Sequence, residues 1–364
     1  LGSRRLGQSL RVGGSAMLAA CALGQVQAHA QGAAGLASEN EALRKRVEAL
    51  ENLAKKEGIL SSGESKPASV AALSEITLSG FVQSSYFYNT RKPADGYSDG
   101  YLWNTKDNSF SINKVKVVLA SPAAERSGEK WDAGFRTSFI WGEDAPVLNT
   151  GSGNAGLEAL REAFIDINAP IGDGLNIKAG QLISLLNYES GDGGAANGNF
   201  SQGYQWFYTG NGPAPGIQAG YVVNDWLDLT MRVQNGLYGG PLDGNSSKTM
   251  IGRIGLKPSK DVWIALLGFG GSESAIGADV TGGSILAGYQ VTEQLGLGFE
   301  GDYFQFDSGT TSDLYSVGSW ISYDFTSKVG LAFRGEYLHD PDGGGLKGIG
   351  LPNRPGSAIT SLDP

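Results

Sequence analysis

The chain predicts an all-β fold, an antiparallel transmembrane β-barrel, on three observations. Apolar and polar residues alternate with period two through about fourteen segments between Ile76 and the C-terminus. The connections between them alternate between brief and long, Gly-rich stretches. No apolar run reaches the roughly 18 to 20 residues of a spanning helix, so any passage through a membrane must use strands.

The alternation is clearest in "WDAGFRTSFIWG", where Trp131, Ala133, Phe135, Thr137, Phe139 and Trp141 share one face and Asp132, Gly134, Arg136 and Ser138 the other. "LDLTMRVQ" and "VGLAFRGEYL" repeat the pattern, setting Asp228 and Arg232 opposite leucines and Arg334 with Glu336 opposite Leu331 and Phe333. Brief connections fall at "NDW", "PSKD", "TEQ" and "TSK"; long ones include "NGLYGGPLDGNSSK", "GGSESAIGAD" and "FDSGTTSD". Tight turns on one rim and long loops on the other are expected of outer-membrane barrels, whereas a soluble sandwich would share only the alternation. Aromatics gather at strand ends, and Tyr88, Trp131, Trp141, Tyr221, Trp226, Tyr289, Tyr303, Tyr323 and Tyr337 are the expected interfacial girdle.

Ahead of the strands the chain divides into three stretches. Residues 1–30 read as a secretory signal peptide: Arg4, Arg5 and Arg11 precede the apolar run Val12 to Leu23, and "AHA" supplies small residues for cleavage. A buried helix is the alternative, and "LAAC" also resembles a lipobox ending in Cys21. Cleavage after Ala30 removes three positive charges and no acid, taking the formal charge from -9 to -12, and removes the only cysteine. Residues 31–58 carry Leu36, Leu43 and Leu50 in one heptad position and Asn40, Val47 and Ala54 in the other. These predict a coiled coil that joins a homotrimer through residues 36–57, with a solitary amphipathic helix as the alternative. Residues 59–75 read as a flexible linker and 76–364 as the barrel.

Composition excludes several classes. An acidic chain lacks the basic surface that nucleic acid needs, and 2 histidines with 1 cysteine supply little for a metal site. No cofactor or metal is expected. Gly296, Gly298 and Gly301 match the dinucleotide spacing G-x-G-x-x-G, yet period two runs through them and no helix follows. Gly296 and Gly298 are expected to face the lumen and leave room for water. "GSGNAG" at 151–156 is a second chance match in a loop. Glu300 with Asp302, and Glu162 with Asp166, have carboxylates in pairs as glycosidases do, but strand spacing alone puts them on one wall. "HDPDGGG" from His339 reads as a turn, not a calcium loop.

The expected lumen set is Arg136, Glu162, Asp166, Asp228, Arg232, Arg253, Glu300, Asp302, Arg334 and Glu336. Its slight excess of acid predicts a weak preference for cations.

"SGFVQSSYFYN", "LREAFIDINAPIGDGLNIKAGQLISLLNYES", "NFSQGYQWFYTGNGPAPGIQAGYVVNDWLDLTMRVQNGL" and "FRGEYLHDPDG", in this order over most of 76 to 345, resemble the OmpL-like beta-barrel porin family of Gram-negative outer membranes. The resemblance implies an outer-membrane pore for small hydrophilic solutes and ions, no enzymatic activity and no cofactor. A helix ahead of a barrel also resembles phosphate-selective porins, though no basic ladder is evident here. A non-conducting adhesin or envelope tether, and a secreted polysaccharide-acting enzyme, are the alternatives. The start at Leu1 and the finish at "AITSLDP", read as a turn without a terminal aromatic, predict a fragment of a sixteen-stranded barrel.

Overall fold

The computed structural model describes residues 45–48, 75–98, 103–149, 157–192, 197–237, 243–273, 277–340 and the strand at 357–363. Residues 45–48 are helical and exposed. The rest of the heptad stretch, the leader, the linker, "GSGNAG" and the glycines after Asp340 lie outside the described residues. Two units divide at Leu73 and Ser74.

Among the described residues of the second unit, fourteen strands form one sheet in strict sequence order, each antiparallel to the next. They are β1 (Thr77–Phe87), β2 (Ser109–Ala120), β3 (Asp132–Trp141), β4 (Leu160–Ala169), β5 (Leu175–Leu182), β6 (Ala214–Asn224) and β7 (Leu227–Gln234). There follow β8 (Thr249–Ser259), β9 (Val262–Glu273), β10 (Ala278–Gln290), β11 (Leu295–Asp307), β12 (Thr311–Thr326), β13 (Val329–Asp340) and β14 (Ser357–Asp363). Two short helices interrupt the connections, α1 (Ala145–Leu148) and α2 (Tyr204–Thr209).

The two faces of the sheet invert the usual arrangement of a water-soluble protein. Ile217 is 60% exposed and Leu331 58%, and Phe299, Val317 and Ile285 are exposed as well. Glu300, Asp302 and Arg334 on the opposite face are buried. Continuous apolar exposure on this scale costs free energy in water and none in hydrocarbon. A sandwich would seal those residues between sheets, so its core is absent here.

Three expectations need correction. "GGSESAIGAD" and "FDSGTTSD" are not long loops, because β9 to β12 run on through their ends and leave connections of only residues 274–277 and 308–310. Glycine-rich sequence reads as loop, yet here strands lie so close that a Cβ on Gly271 would meet Thr249 of β8. "AITSLDP" is not a turn; Ser357–Asp363 form β14, paired with β13 from Asp340↔Ser357 to Arg334↔Asp363. His339 and Asp340 end β13, the rest of "HDPDGGG" lying outside the described residues, and the His339 ring lies 4.8 Å from that of Tyr315.

The outward face yields a direct test. Phe299→Arg, in the middle of β11, is expected to destabilise the protein refolded into lipid vesicles by about 2–4 kcal/mol, read from urea titration of heat-modifiable gel migration. An unchanged midpoint would mean that Phe299 does not meet lipid.

Candidate functional site

Of the connection between β5 and β6, residues 183–192 and 197–213 do not hang outside the sheet. They pack on the face opposite the exposed apolar residues, and strand side chains take up their polar backbone. Glu300 accepts hydrogen bonds from the Tyr188 N–H at 2.8 Å and from Asn187 Nδ2 at 3.4 Å. Glu336 caps α2, its two oxygens accepting from the N–H groups of Tyr204 and Gln205, each at 3.1 Å. Asp302 Oδ2 accepts from Gln205 Nε2, Thr209 Oγ1 and Ser316 Oγ at 2.7, 2.9 and 2.7 Å. Arg334 Nη1 lies 2.7 Å from Glu189 Oε1 and donates to the Ser201 carbonyl at 2.6 Å.

The same segment reaches strands at the other end of the sheet. Asp192 pairs with Lys116 of β2 and, at 3.3 Å, with Arg161 of β4. Gln83 of β1 donates to the Phe200 carbonyl, and Trp103 Nε1 donates to that of Gln202. One segment therefore touches β1 and β2 as well as β11 to β13. A sheet can present both its ends to one short segment only by curling around it. Burial pushes the Asp192 carboxyl up, but Arg161 and Lys116 beside it outweigh that and hold it below the ordinary range. Asp192 is therefore charged at neutral pH. The Tyr208 hydroxyl is pushed up to about 12 by burial, with Tyr204 and Asp340 adding to the shift.

Apolar packing fixes the rest. Leu186 and Tyr208 of the segment join Ile251, Leu267, Phe269, Phe304, Leu314 and Leu338 in a cluster on the inner side of β8 to β13. The Tyr188 ring stacks between Trp320, at 4.5 Å, and Trp263, at 5.8 Å. Gly298 has no side chain because that ring lies over it: a Cβ there would sit 2.2 Å from Tyr188 Cζ. The expectation that Gly298 leaves room for water is thus corrected; it leaves room for an aromatic side chain.

The sequence-selected charges separate into two groups. Glu162, Asp166, Arg232, Glu300, Asp302, Arg334 and Glu336 are buried among partners, not bathed by lumen water. Asp166 accepts from Asn176 Nδ2 at 2.6 Å, and Arg232 donates to Gln218 Oε1 and to the Ile183 carbonyl. Arg136, Asp228 and Arg253 remain part-exposed, Arg136 lying 2.7 Å from Glu162 and Arg253 pairing with Asp228. These part-exposed groups sit on β3 and β7, outside the apolar cluster, and on β8, at the cluster's edge. Of the aromatic set, Tyr88, Trp131, Trp141, Tyr289, Tyr303, Tyr323 and Tyr337 are exposed. Tyr221 is half-buried, its hydroxyl accepting from the Asp173 N–H at 3.3 Å. Trp226, 54% exposed, also lines a cavity together with Tyr188 and Trp263.

The family model "Putative beta-barrel porin-2, OmpL-like" matches residues 75–362. The chain belongs to this family. Among solved structures, the porin is similar to the outer membrane channel DcaP of Acinetobacter baumannii, at 11% identity over 74% of this chain and 79% of that one, with a TM-score of 0.47. It is also similar to an anion-selective porin from Comamonas acidovorans, at 12% identity over 79% of this chain and 97% of that one, with a TM-score of 0.42. A porin refined at 1.8 Å shows 12% identity over 73% and 84%, with a TM-score of 0.44. No match was found among curated protein sequences.

Four basic residues of the porin's inner side escaped the sequence reading. Lys114, Lys116 and Val118 alternate with Val115 and Val117 in β2, a signal that period-two counting could have found. Lys178 in β5 pairs across from Asp166, and its Nζ lies 4.9 Å from the Phe164 ring centroid. Arg161 had no such signal. Strict alternation puts it with Ala163 and Ile165, but the register slips between Ser138↔Glu162 and Phe139↔Leu160, leaving Arg161 unopposed and turned inward.

Loosening the anchored segment is expected to widen the pore. Glu336→Ala removes the acceptor for two α2 N–H groups, and Gly298→Val drives a side chain into Tyr188. Each variant should raise single-channel conductance and current noise in planar bilayers. Unaltered conductance in both would show that the segment does not set the pore's cross-section.

Proposed function

We propose that the protein is an outer-membrane porin through which small hydrophilic solutes and ions diffuse passively, with residues 183–192 and 197–213 as its constriction. One observation carries this: a sheet exposed and apolar outside is lined inside by polar side chains that hold a single segment across the interior. Water and solutes then pass between that segment and the part-exposed wall of β3 to β8. The carboxylate pairs fit this use better than acid–base chemistry, because Glu300 and Asp302 are committed to backbone and side-chain donors of the segment. Membership of the family supports a location in the Gram-negative outer membrane; the N-terminal helix on the periplasmic side, pairing within a trimer through its heptads, is the reading we favour from sequence. Cross-linking in native membranes tests the trimer, and a pattern containing monomer alone would reject it.

The weak cation preference expected from a charge count is revised. Glu300, Asp302 and Glu336 are buried against the segment, so the excess of acid does not face water. Of the charges selected from sequence, those open to water are Arg136 and the Arg253–Asp228 pair, with half-buried Lys178 and Asp132 on the same face. The exposed partner of the Arg136–Glu162 pair is the arginine. This balance leans basic and favours anions weakly. A reversal potential measured across a KCl gradient should carry the sign of chloride preference and move toward zero in Lys178→Gln; a cation-selective value would refute the assignment. Absence of any current after reconstitution would refute the channel itself.

A further inference from the structure

One cavity of about 690 Å³ lies between the inserted segment and the rim of short connections. Its volume falls inside the range of small-molecule sites, roughly 300–1,000 Å³. Tyr188, Trp226 and Trp263 contribute rings to it, and Gln290, Ser259 and Ser322 contribute hydrogen-bonding groups. Its formal charges cancel, Asp225 and Asp261 standing against Lys257 and Lys260.

We propose that this cavity binds one or two rings of a neutral saccharide. The inference rests on the channel reading above and names the class of solute that lingers there. Trp263 is 37% exposed, whereas Trp320 beside the same tyrosine is 8% exposed and sealed. Part of the Trp263 indole therefore stays open on the inner wall beyond its contacts with Tyr188 and Gly288. The glycines beneath it are part of the construction: a Cβ on Gly288 would meet Trp263 Nε1 at 2.2 Å, so only glycine lets the indole lie flat there. Tyr188, clamped between Trp263 and Trp320, adds a second ring already held in place, so little ordering remains to be done on binding.

The chemistry selects a sugar over the other solutes of a water-filled channel. The C–H faces of a pyranose carry slight positive charge and lie against the negative face of an aromatic ring. Its hydroxyls both donate and accept, which suits a rim mixing amide, hydroxyl, carboxylate and ammonium groups. An ion would instead require charge of one sign. A lipid would leave those polar groups without partners.

Full-chain protein in planar bilayers, with maltose added on the side of the short connections, tests this. Maltose should block the ion current in a concentration-dependent way. Trp263→Ala should raise the half-blocking concentration by about tenfold or more, while Trp131→Phe, on the apolar face, should leave it where it was. Steady current that maltose does not reduce would overturn the saccharide site and leave the channel standing. Citrate blocking where maltose does not would overturn it too. Should no current appear, the channel reading fails, and tryptophan fluorescence of the detergent-solubilised protein decides the site: quenching by maltose that is lost in Trp263→Ala upholds it, and no change overturns it.

Discussion

The hydrogen bonds from the backbone of residues 187–205 to carboxylates on β11 and β13 are the constraint on which the interior depends. A segment carried into a barrel brings polar N–H groups that must find acceptors. Water could serve them, but then the segment would be free to move. Glu300 and Glu336 serve them instead, and each carboxyl group, withdrawn from water, is made tolerable by the donors whose hydrogen bonds it accepts. Neither side is stable alone. Removing the segment would leave buried carboxylates without donors, and removing the carboxylates would leave buried N–H groups without acceptors. The path of the segment, and with it the width of the passage, is fixed by this mutual need.

That arrangement explains why the inner wall is uneven. With the outer face turned to lipid, the only place for a packed core is inside, and it forms where the segment meets β8 to β13 through Leu186, Tyr208, Phe269, Phe304 and Leu314. The core occupies one side of the interior and pushes water to the other. There Arg136, Lys178, Asp228 and Arg253 keep part of their surface open, among strands that contribute few residues to the cluster. A symmetric lining would have left either no core or no passage.

Much of the strand framework was legible because period two is a local property that survives in each segment. The sequence order of the sheet, the outward leucines and the inward charges of β3, β7, β11 and β13 all follow from it. What could not be read is whatever depends on distant partners. Arg161 faces inward because of a slipped register with β3, which no local pattern records. Tyr188 and Glu189 sit in a stretch with no period at all, and their roles arise from Trp320, Glu300 and Arg334, more than a hundred residues along. Glycine-rich ends of β9 to β12 read as loops because glycine is ambiguous between a turn and a close approach of backbones.

The same distinction separates a charge count from a field. Face assignment from sequence treats Glu300 and Arg136 as equal members of one lining. In the folded protein Glu300 is 1% exposed and its oxygens are occupied, whereas the Arg136 side chain keeps more than a third of its surface open. The first is engaged by the donors packed against it, whereas the second meets a permeating ion directly across the water of the passage. Selectivity therefore follows from which charges the inserted segment leaves uncovered, and the residues that hold the segment in place contribute to it chiefly by being hidden.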